Sequence, residues 1–229
     1  MPQGRPALLL FARAPVEGKV KTRLVPPLTV PSALRLYQAF LEDAARIYRA
    51  PGLWEAVLEA EPGPEHPELV RLFTPPWRLE AQRAGDLGQR LEDAFARAFA
   101  RGASAAVAVG SDHPALPRAR IEESFRCLSE GIGATLIPAD DGGYCAVGLC
   151  AQAPLAEVFR EIPWSTPSAL KVTQQRMQQA GLSVSVLPAS YDIDQPEDLA
   201  RLRDDLFSRD ARASDYPACT ARALAEILA

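Results

Sequence analysis

Residues 7–24 read ALLLFARAPVEGKVKTRL, and this stretch decides the fold. The unbroken apolar run over residues 7–12 is typical of a buried strand. It stops at Arg13 and is followed by a loop that contains Gly18. Residues 13–23 carry four positive side chains and one acid, although the whole chain has a net charge of −4. Positive charge concentrated in this way favours an anion-binding loop. A solvated basic surface loop is the alternative, because lysine and arginine side chains are mostly exposed.

Composition limits the classes to which the chain can belong. We expect one α/β domain over residues 1–229, a length that suffices for a large core. Hydrophobic residues at 48% and charged residues at 24% exclude disordered and fibrous proteins. The negative net charge argues against binding to nucleic acid or to a membrane surface. The run over residues 7–12 is too short to span a membrane and lacks a signal-peptide cleavage site, so we expect a cytoplasmic protein.

Apolar runs alternate with helical patterns along most of the chain. Strands are expected over residues 7–12, 54–60, 77–82, 105–110, 134–138, 144–149 and 183–187. Helices are expected over residues 29–48, 69–73, 85–99, 117–131, 166–181, 194–206 and 217–228. This alternation predicts a single-domain three-layer α/β/α sandwich on a mostly parallel sheet. Residues 134–149, where a turn alone joins two strands, add an antiparallel element.

Capping residues predict where three of these helices start. Thr29 and Thr166 are expected to cap helices whose first turns contain proline. Asp194 stands three residues before Glu197, which is the spacing of a capping box. Such a cap would explain Asp194 on structural grounds, although a capping aspartate still has a second oxygen to offer a metal. Asp192 has no capping role, so either acid could be a metal ligand.

Ligands of open α/β sheets gather at the carboxyl ends of the strands, where the loops after Ala12, Gln82 and Gly110 are predicted to lie. The loop after Ala12 is neither of the common phosphate motifs. The loop is not a Walker A motif because Val20 stands where Ser or Thr is required. It is not a dinucleotide fingerprint because Gly18 is the only glycine in the loop. What remains, a strand followed by a glycine turn and spaced cations, can hold a triphosphate through backbone N–H groups and charge.

Asp112 follows the most apolar strand, in the segment VGSDHP at residues 109–114. An acid at this place can hold Mg²⁺, which prefers oxygen ligands and bridges to phosphate. The alternative is that Asp112 caps the next helix or turn. Pro117 starts that helix too late for Asp112 to be its cap, and this favours the metal ligand.

Two turns contain both acids and glycines. Residues 140–143, DDGG, let a backbone approach a ligand closely, but a tight hairpin turn explains them equally well. In residues 85–88, GDLG, the carboxylate of Asp86 could accept the N–H donors of a guanine edge or could simply cap the helix. Both alternatives stay open for each turn.

Six motifs occur along the chain in this order: FARAPVEGKVKTRL, GDLGQRLEDAFARA, VGSDHPAL, PADDGGYCAVGL, IPWSTP and DIDQPEDLARL. The same order is seen in the DUF2064 family, bacterial proteins of the glycosyltransferase A (GT-A) superfamily. The chain thus resembles this family from about residue 7 to residue 206. It is similar, more distantly, to the 2-phospho-lactate guanylyltransferases, the molybdenum cofactor guanylyltransferases and the sugar-acid cytidylyltransferases. The resemblance implies a fold of the GT-A, nucleotide-diphospho-sugar transferase type.

The resemblance also implies roles for individual residues. The nucleotide and its triphosphate would be held by Ala12, Arg13, Gly18, Lys19, Lys21, Arg23, Gly85 and Asp86. Mg²⁺ or Mn²⁺ would be bound by Asp112 and by Asp194, which lines up with the aspartate of a D-T-P-E-D-L motif in the cytidylyltransferases. The acceptor would face Asp141, Gly142, Gly143, Tyr144 and Trp164. GT-A glycosyltransferases often present Asp-x-Asp, whereas residues 110–112 offer one acid.

The predicted function is metal-dependent nucleotidyl transfer from an NTP to a small phosphorylated or phosphonate acceptor. Arg13, Lys21, Arg23 and Asp112 would be the catalytic residues, acting by positioning and charge neutralisation. One alternative is a glycosyltransferase that uses a nucleotide sugar. Another is a nucleotide-binding module without catalysis.

Overall fold

The computed structural model describes residues 4–228, in which seven strands form one sheet of order β3-β2-β1-β4-β6-β5-β7. The strands are β1 Ala7–Arg13, β2 Glu55–Glu61, β3 Arg78–Ala81, β4 Ala105–Gly110, β5 Ala134–Pro138, β6 Tyr144–Cys150 and β7 Val184–Val186. β6 pairs antiparallel with β4 and with β5, and the other pairings are parallel. The predicted mostly parallel sheet with an antiparallel element is therefore confirmed.

Eight α-helices within the described residues cover both faces of this sheet. They are α1 Val30–Ile47, α2 Pro67–Leu72, α3 Leu87–Ala100, α4 Arg118–Ser129, α5 Leu155–Phe159, α6 Ala169–Gln179, α7 Pro196–Ser208 and α8 Ala218–Leu228. One apolar cluster packs α1, α4, α7 and α8 against one face, and a second packs α3, α5 and α6 against the other. The three-layer sandwich is thus confirmed, while α5 is a helix that the sequence pattern does not predict.

The apolar run of β1 is continuous because both faces of the strand are covered. Leu8 and Leu10 belong to the cluster under α1, whereas Ala7 and Leu9 belong to the cluster under α3. All four side chains are 0% exposed. Since successive strand residues point to opposite faces, a polar residue at any of these positions would be buried without water.

One predicted helix start is right and another is wrong. Thr29 caps α1, and its hydroxyl accepts the N–H of Ser32 at 3.2 Å. Thr166 does not cap α6, which begins at Ala169 with Ser168 as its N-cap. The Thr166 hydroxyl instead donates to the carbonyl of Pro163 at 2.7 Å. The side chain closes a turn before the helix, so the helix starts two residues later than its threonine and proline suggest.

No helix among residues 4–228 is both long enough and apolar enough to cross a membrane.

The sheet direction brings the predicted site residues together. β1, β2, β3 and β4 are parallel, so their carboxyl ends lie at one edge of the sheet. β6 runs in the opposite direction to β4 and β5, which places the turn before Tyr144 at this same edge. Loops that are far apart in sequence therefore meet there, as expected for open α/β sheets.

A buried carboxylate on β2 makes the stability depend on pH. Glu59 is 0% exposed, and its Oε2 lies 2.7 Å from Nη2 of Arg97 on α3. Oε1 of Glu59 is buried without a hydrogen-bond partner among the described residues. Burial, only partly opposed by Arg97, raises the pKa of Glu59 from 4.5 to about 7.

We expect the free energy of unfolding to fall by about 3 kcal/mol, relative to that of Glu59→Gln, as the pH rises from 4.5 to about 7. In this range the folded protein binds a proton on Glu59 that the unfolded chain has lost, so the stabilisation is complete below pH 4.5 and is lost through the folded pKa. Urea unfolding of both proteins across this range measures the difference. Parallel curves would show that Glu59 titrates normally.

Candidate active site

A cavity of about 790 Å³ lies at the carboxyl edge of the sheet and has the size expected for a small-molecule ligand. It collects most of the predicted site residues, namely Ala12, Arg13, Lys19, Lys21, Arg23, Gly85, Asp86, Asp112, Asp141, Gly143, Tyr144, Trp164 and Asp194. Gly18 and Gly142 are not among the residues that line it. Asp192 lines it as well, so both candidate partners of Asp112 face the same space.

Lys21 is the central side chain of this cavity. Its Nζ lies 2.9 Å from Oδ1 of Asp112 and 3.0 Å from Oδ1 of Asp194. We call the space between these two carboxylates, which Nζ fills, the cation position. Only 4% of the Lys21 side chain is exposed, whereas 43% of Asp112 and 38% of Asp194 are. A buried ammonium thus joins two acids that are 82 residues apart in sequence and open to the cavity.

The two carboxylates keep Lys21 charged. Burial by itself would lower the pKa of the ammonium, but the charges and hydrogen bonds of Asp112 and Asp194 outweigh burial and raise the pKa above 10.5. The ammonium also lies over the Phe40 ring, 5.9 Å from its centroid. The cation position therefore holds a full positive charge at neutral pH.

Asp194 is free to take this part because it does not cap α7, which corrects the sequence prediction. The N-cap is Gln195, and its capping-box partner is Asp198 rather than Glu197. Oδ2 of Asp198 accepts the N–H groups of Asp194 at 2.9 Å and Gln195 at 2.7 Å. Since Asp198 takes both amides, the carboxylate of Asp194 turns to Lys21 and to Nη1 of Arg23, 3.5 Å away.

Asp112 does not cap a helix either, as predicted. α4 begins at Arg118 with Pro117 as its N-cap. The carbonyl of Asp112 accepts the N–H of Ile193 at 3.1 Å. This main-chain bond ties the loop after β4 to the segment that carries Asp194, so the two acids face each other through the fold and not only through Lys21.

Tyr37 of α1 holds the ends of β1 and β4 together, a part that the sequence did not reveal. Its buried hydroxyl lies 3.0 Å from both the N and the O of Arg13 and 3.1 Å from Oγ of Ser111. Burial and the charge of Asp112 raise the pKa of Tyr37, so the hydroxyl stays protonated. The helical pattern assigns Tyr37 to the apolar stripe, but it does not show which groups the hydroxyl contacts.

Arg13 shares a carboxylate with a second arginine. Its Nε lies 2.9 Å from Oε2 of Glu61, and Nη1 of Arg90 lies 3.0 Å from the same oxygen. Burial favours the neutral form of Glu61, but hydrogen bonds from Arg90 and Arg13 outweigh it and lower the pKa below 4.5. Arg13 and Arg90 together carry one more charge than Glu61 neutralises, and this excess positive charge favours an anion. Glu61 ends β2 at the site edge, a signal that could have identified it.

Asp86 is the N-cap of α3, which confirms the simpler of its two interpretations. Its Oδ1 accepts the N–H of Gln89 at 2.9 Å, and the Gln89 side chain accepts the N–H of Asp86 at 3.2 Å. This is a complete capping box. Asp86 still borders the cavity, so contact with a nucleotide base stays a prediction.

The DDGG segment forms a turn that is also a wall of the cavity. Gly142 has φ +86°, and a Cβ at this residue would lie 2.3 Å from the carbonyl oxygen of Pro167. Its own carbonyl accepts the N–H of Leu170 at 2.9 Å. The turn thus packs on the start of α6 and needs glycine there. Beside it, the Tyr144 and Trp164 rings meet edge to face, with centroids 6.2 Å apart.

Comparisons with known proteins agree with this architecture. The model of the DUF2064 family, described as uncharacterized protein conserved in bacteria, matches residues 45–166. A protein of Desulfovibrio desulfuricans G20, provisionally named a nucleotide-diphospho-sugar transferase, is similar over 98% of this chain and 99% of its own, with a TM-score of 0.84 and 27% identity. No curated protein matches the chain by sequence.

Two further solved structures share the fold at low identity. A cytidylyltransferase of Leptospira borgpetersenii serovar Hardjo-bovis (strain JB197) covers 98% of this chain and 95% of its own, with a TM-score of 0.59 and 12% identity. A CMP:2-keto-3-deoxy-manno-octonic acid synthetase complexed with CTP covers 87% and 97%, with a TM-score of 0.53 and 12% identity. At this identity the similarity concerns the fold alone.

Proposed function

Because the chain belongs to the DUF2064 family and carries its cations and acids at the carboxyl edge of a nucleotidyltransferase-like sheet, we propose that it is a metal-dependent transferase with a nucleotide donor. Its most specific form is nucleotidyl transfer from an NTP to a small phosphorylated or phosphonate acceptor. The observation that carries it is the cation position: two carboxylates of separate loops meet on one positive charge, inside a cavity lined by further cations.

The donor set suits a metal that the substrate completes. Oδ1 of Asp112 and Oδ1 of Asp194 lie on either side of the cation position. Among residues 4–228, no group of three or more His, Cys, Asp or Glu side chains could enclose a metal. Mg²⁺ is usually held by one or two carboxylates together with phosphate oxygens and water, and this pair of acids fits that mode. When bound, the ion would neutralise charge that develops between the α- and β-phosphates.

The cations of the cavity would hold the leaving group. Lys19, Arg13 and Arg23 line the space next to the cation position, and 63% and 69% of the two arginine side chains are exposed. In the proposed reaction an acceptor oxygen forms a bond to the α-phosphorus, the bond from the α-phosphorus to the bridging oxygen breaks, and pyrophosphate leaves with the electron pair. Preorganised cations stabilise that charge without reorganisation.

The opposite wall would hold the acceptor. Asp141, Gly143, Tyr144 and Trp164 line it, and the packing of the DDGG turn on Pro167 keeps this wall in place. An oxygen of a phosphate or phosphonate is already ionised near neutral pH, so the reaction needs no protein base. Positioning the acceptor against the α-phosphorus is then the main task of the wall.

Glycosyl transfer from a nucleotide sugar is the second candidate, and the similarity to the Desulfovibrio protein along nearly the whole chain favours it. The same metal and phosphate groups would serve it, but the broken bond would be at the sugar. The two reactions release different products, pyrophosphate in the first and a nucleoside diphosphate in the second.

Phosphorus NMR of the reaction products separates these candidates. The protein is incubated with Mg²⁺, the four NTPs or a set of nucleotide sugars, and a panel of phosphate monoesters, phosphonates and sugars. We expect pyrophosphate that depends on both an NTP and one acceptor, and none from Asp112→Asn prepared in parallel. Nucleoside diphosphate from a nucleotide sugar would instead establish the glycosyltransferase. Metal-dependent nucleotide binding without any product would indicate a binding module.

A further inference from the structure

The cation position is filled by the chain's own ammonium. Lys21 Nζ is within 3.0 Å of one oxygen from each of the two acids, Asp112 and Asp194. Mg²⁺ requires contacts of about 2.0–2.1 Å to such oxygens. The ion and the ammonium cannot occupy this space together, because both are cations and the oxygens are shared. A metal bound to these two oxygens therefore has to displace Lys21.

The backbone of Lys21 is built to bring its side chain there. Lys21 has φ 49° and ψ 35°, the left-handed conformation that residues with a Cβ rarely adopt. Its carbonyl accepts the N–H of Leu24 at 3.1 Å, and this closes a tight turn. Strained backbone of this kind persists where the surroundings determine it, and it clusters at functional sites. Here it buries the lysine stem and aims Nζ at the two acids.

A metal ion without nucleotide should bind only weakly at the cation position. It would have two carboxylates and water as ligands, and it would leave a buried ammonium without a partner, which is unfavourable. A nucleotide changes both conditions, because its phosphate oxygens complete the coordination of the metal and also accept the displaced ammonium. The two ligands should therefore bind together and not one at a time.

We propose that Lys21 holds the place of the divalent cation in the nucleotide-free protein and moves from the carboxylates to the phosphates when metal and nucleotide bind together. This inference rests on the proposed function, and it makes metal binding depend on nucleotide. While no substrate is present, the ammonium of Lys21 neutralises the two acids and keeps them close together. It also disfavours a metal-loaded site without a nucleotide.

Binding of Mn²⁺, followed by the electron paramagnetic resonance of the free ion, tests this. Without nucleotide, Lys21→Met should bind Mn²⁺ about tenfold or more tightly than the wild type, since the competing charge is gone. Lys19→Met is the matched control: it removes a charge from the same loop but contacts neither acid, and its Mn²⁺ affinity should stay near that of the wild type. Adding Asp112→Asn to Lys21→Met should abolish the gain. Thermal unfolding verifies that each variant is folded, and Lys21→Gln provides a second uncharged side chain.

The same titrations with the α,β-methylene analogues of ATP, GTP, CTP and UTP separate the two proposals. We expect at least one analogue to raise the Mn²⁺ affinity of the wild type about tenfold or more. Equal Mn²⁺ affinity of the wild type, Lys21→Met and Lys21→Gln without nucleotide overturns the role of Lys21 but leaves the transferase proposal intact. Failure of every variant to bind Mn²⁺, even with the analogues, overturns both.

Discussion

Asp112→Asn should abolish metal-dependent nucleotide binding and reduce transfer by about a thousandfold, while the melting temperature of the nucleotide-free protein changes by only about 4 °C or less. The substitution keeps the shape of the side chain and removes the charge that faces the cation position, where Oδ1 of Asp112 lies 2.9 Å from Lys21. Stability should persist because Asp194 still pairs with Lys21 and because Asp112 caps no helix. Calorimetric titration of nucleotide with and without Mg²⁺, together with thermal unfolding, measures both quantities.

Asp204→Asn is the control for charge alone. Asp204 lies on α7, outside the cavity, and 69% of its side chain is exposed. Removal of this charge should leave nucleotide binding unchanged. If Asp112→Asn instead lowers the melting temperature by tens of degrees, Asp112 is mainly a structural residue.

The layers of the fold were predictable because each follows from a local pattern. Residues 7–12 are apolar without a break, since Leu8 and Leu9 enter different cores, and the antiparallel element follows from the short connection between β5 and β6. Helix starts were less predictable. The hydroxyl of Thr166 and the carboxylate of Asp198 each had several N–H or C=O groups within reach, and sequence spacing does not show which one they take.

The candidate site was predictable as a set of residues but not as an arrangement. The rule that ligands bind at the carboxyl ends of parallel strands brings the opening loop, Asp112 and the DDGG turn together. It does not show that Lys21 adopts a left-handed conformation and enters the space between the acids. That outcome depends on a balance between backbone strain, burial and two ion pairs formed across more than 80 residues of chain. Such a balance cannot be predicted from the local sequence.

Asp194→Asn should impair nucleotide binding and transfer about a hundredfold or more, whereas Asp192→Asn should change both by about threefold or less. The two acids are separated by one residue and both line the cavity. Only Asp194 reaches the cation position, with Oδ1 3.0 Å from Lys21, while Asp192 makes no ion pair within the part of the chain that the structure describes. Both variants lose one negative charge from the same segment, so each is the control for the other in charge and in stability.

Titration of Mn²⁺ in the presence of the α,β-methylene NTP analogues identifies the second ligand directly. Because Asp198 accepts the amides at the start of α7 and leaves the carboxylate of Asp194 free, loss of the charge on Asp194 should weaken metal binding without loosening the helix. The melting temperature of Asp194→Asn should accordingly stay within about 4 °C of the wild type. A larger loss of Mn²⁺ affinity in Asp192→Asn than in Asp194→Asn would move the second metal ligand to Asp192. It would then leave Asp194 with Lys21 and Arg23 as an ion-paired group that orders the loop after β1.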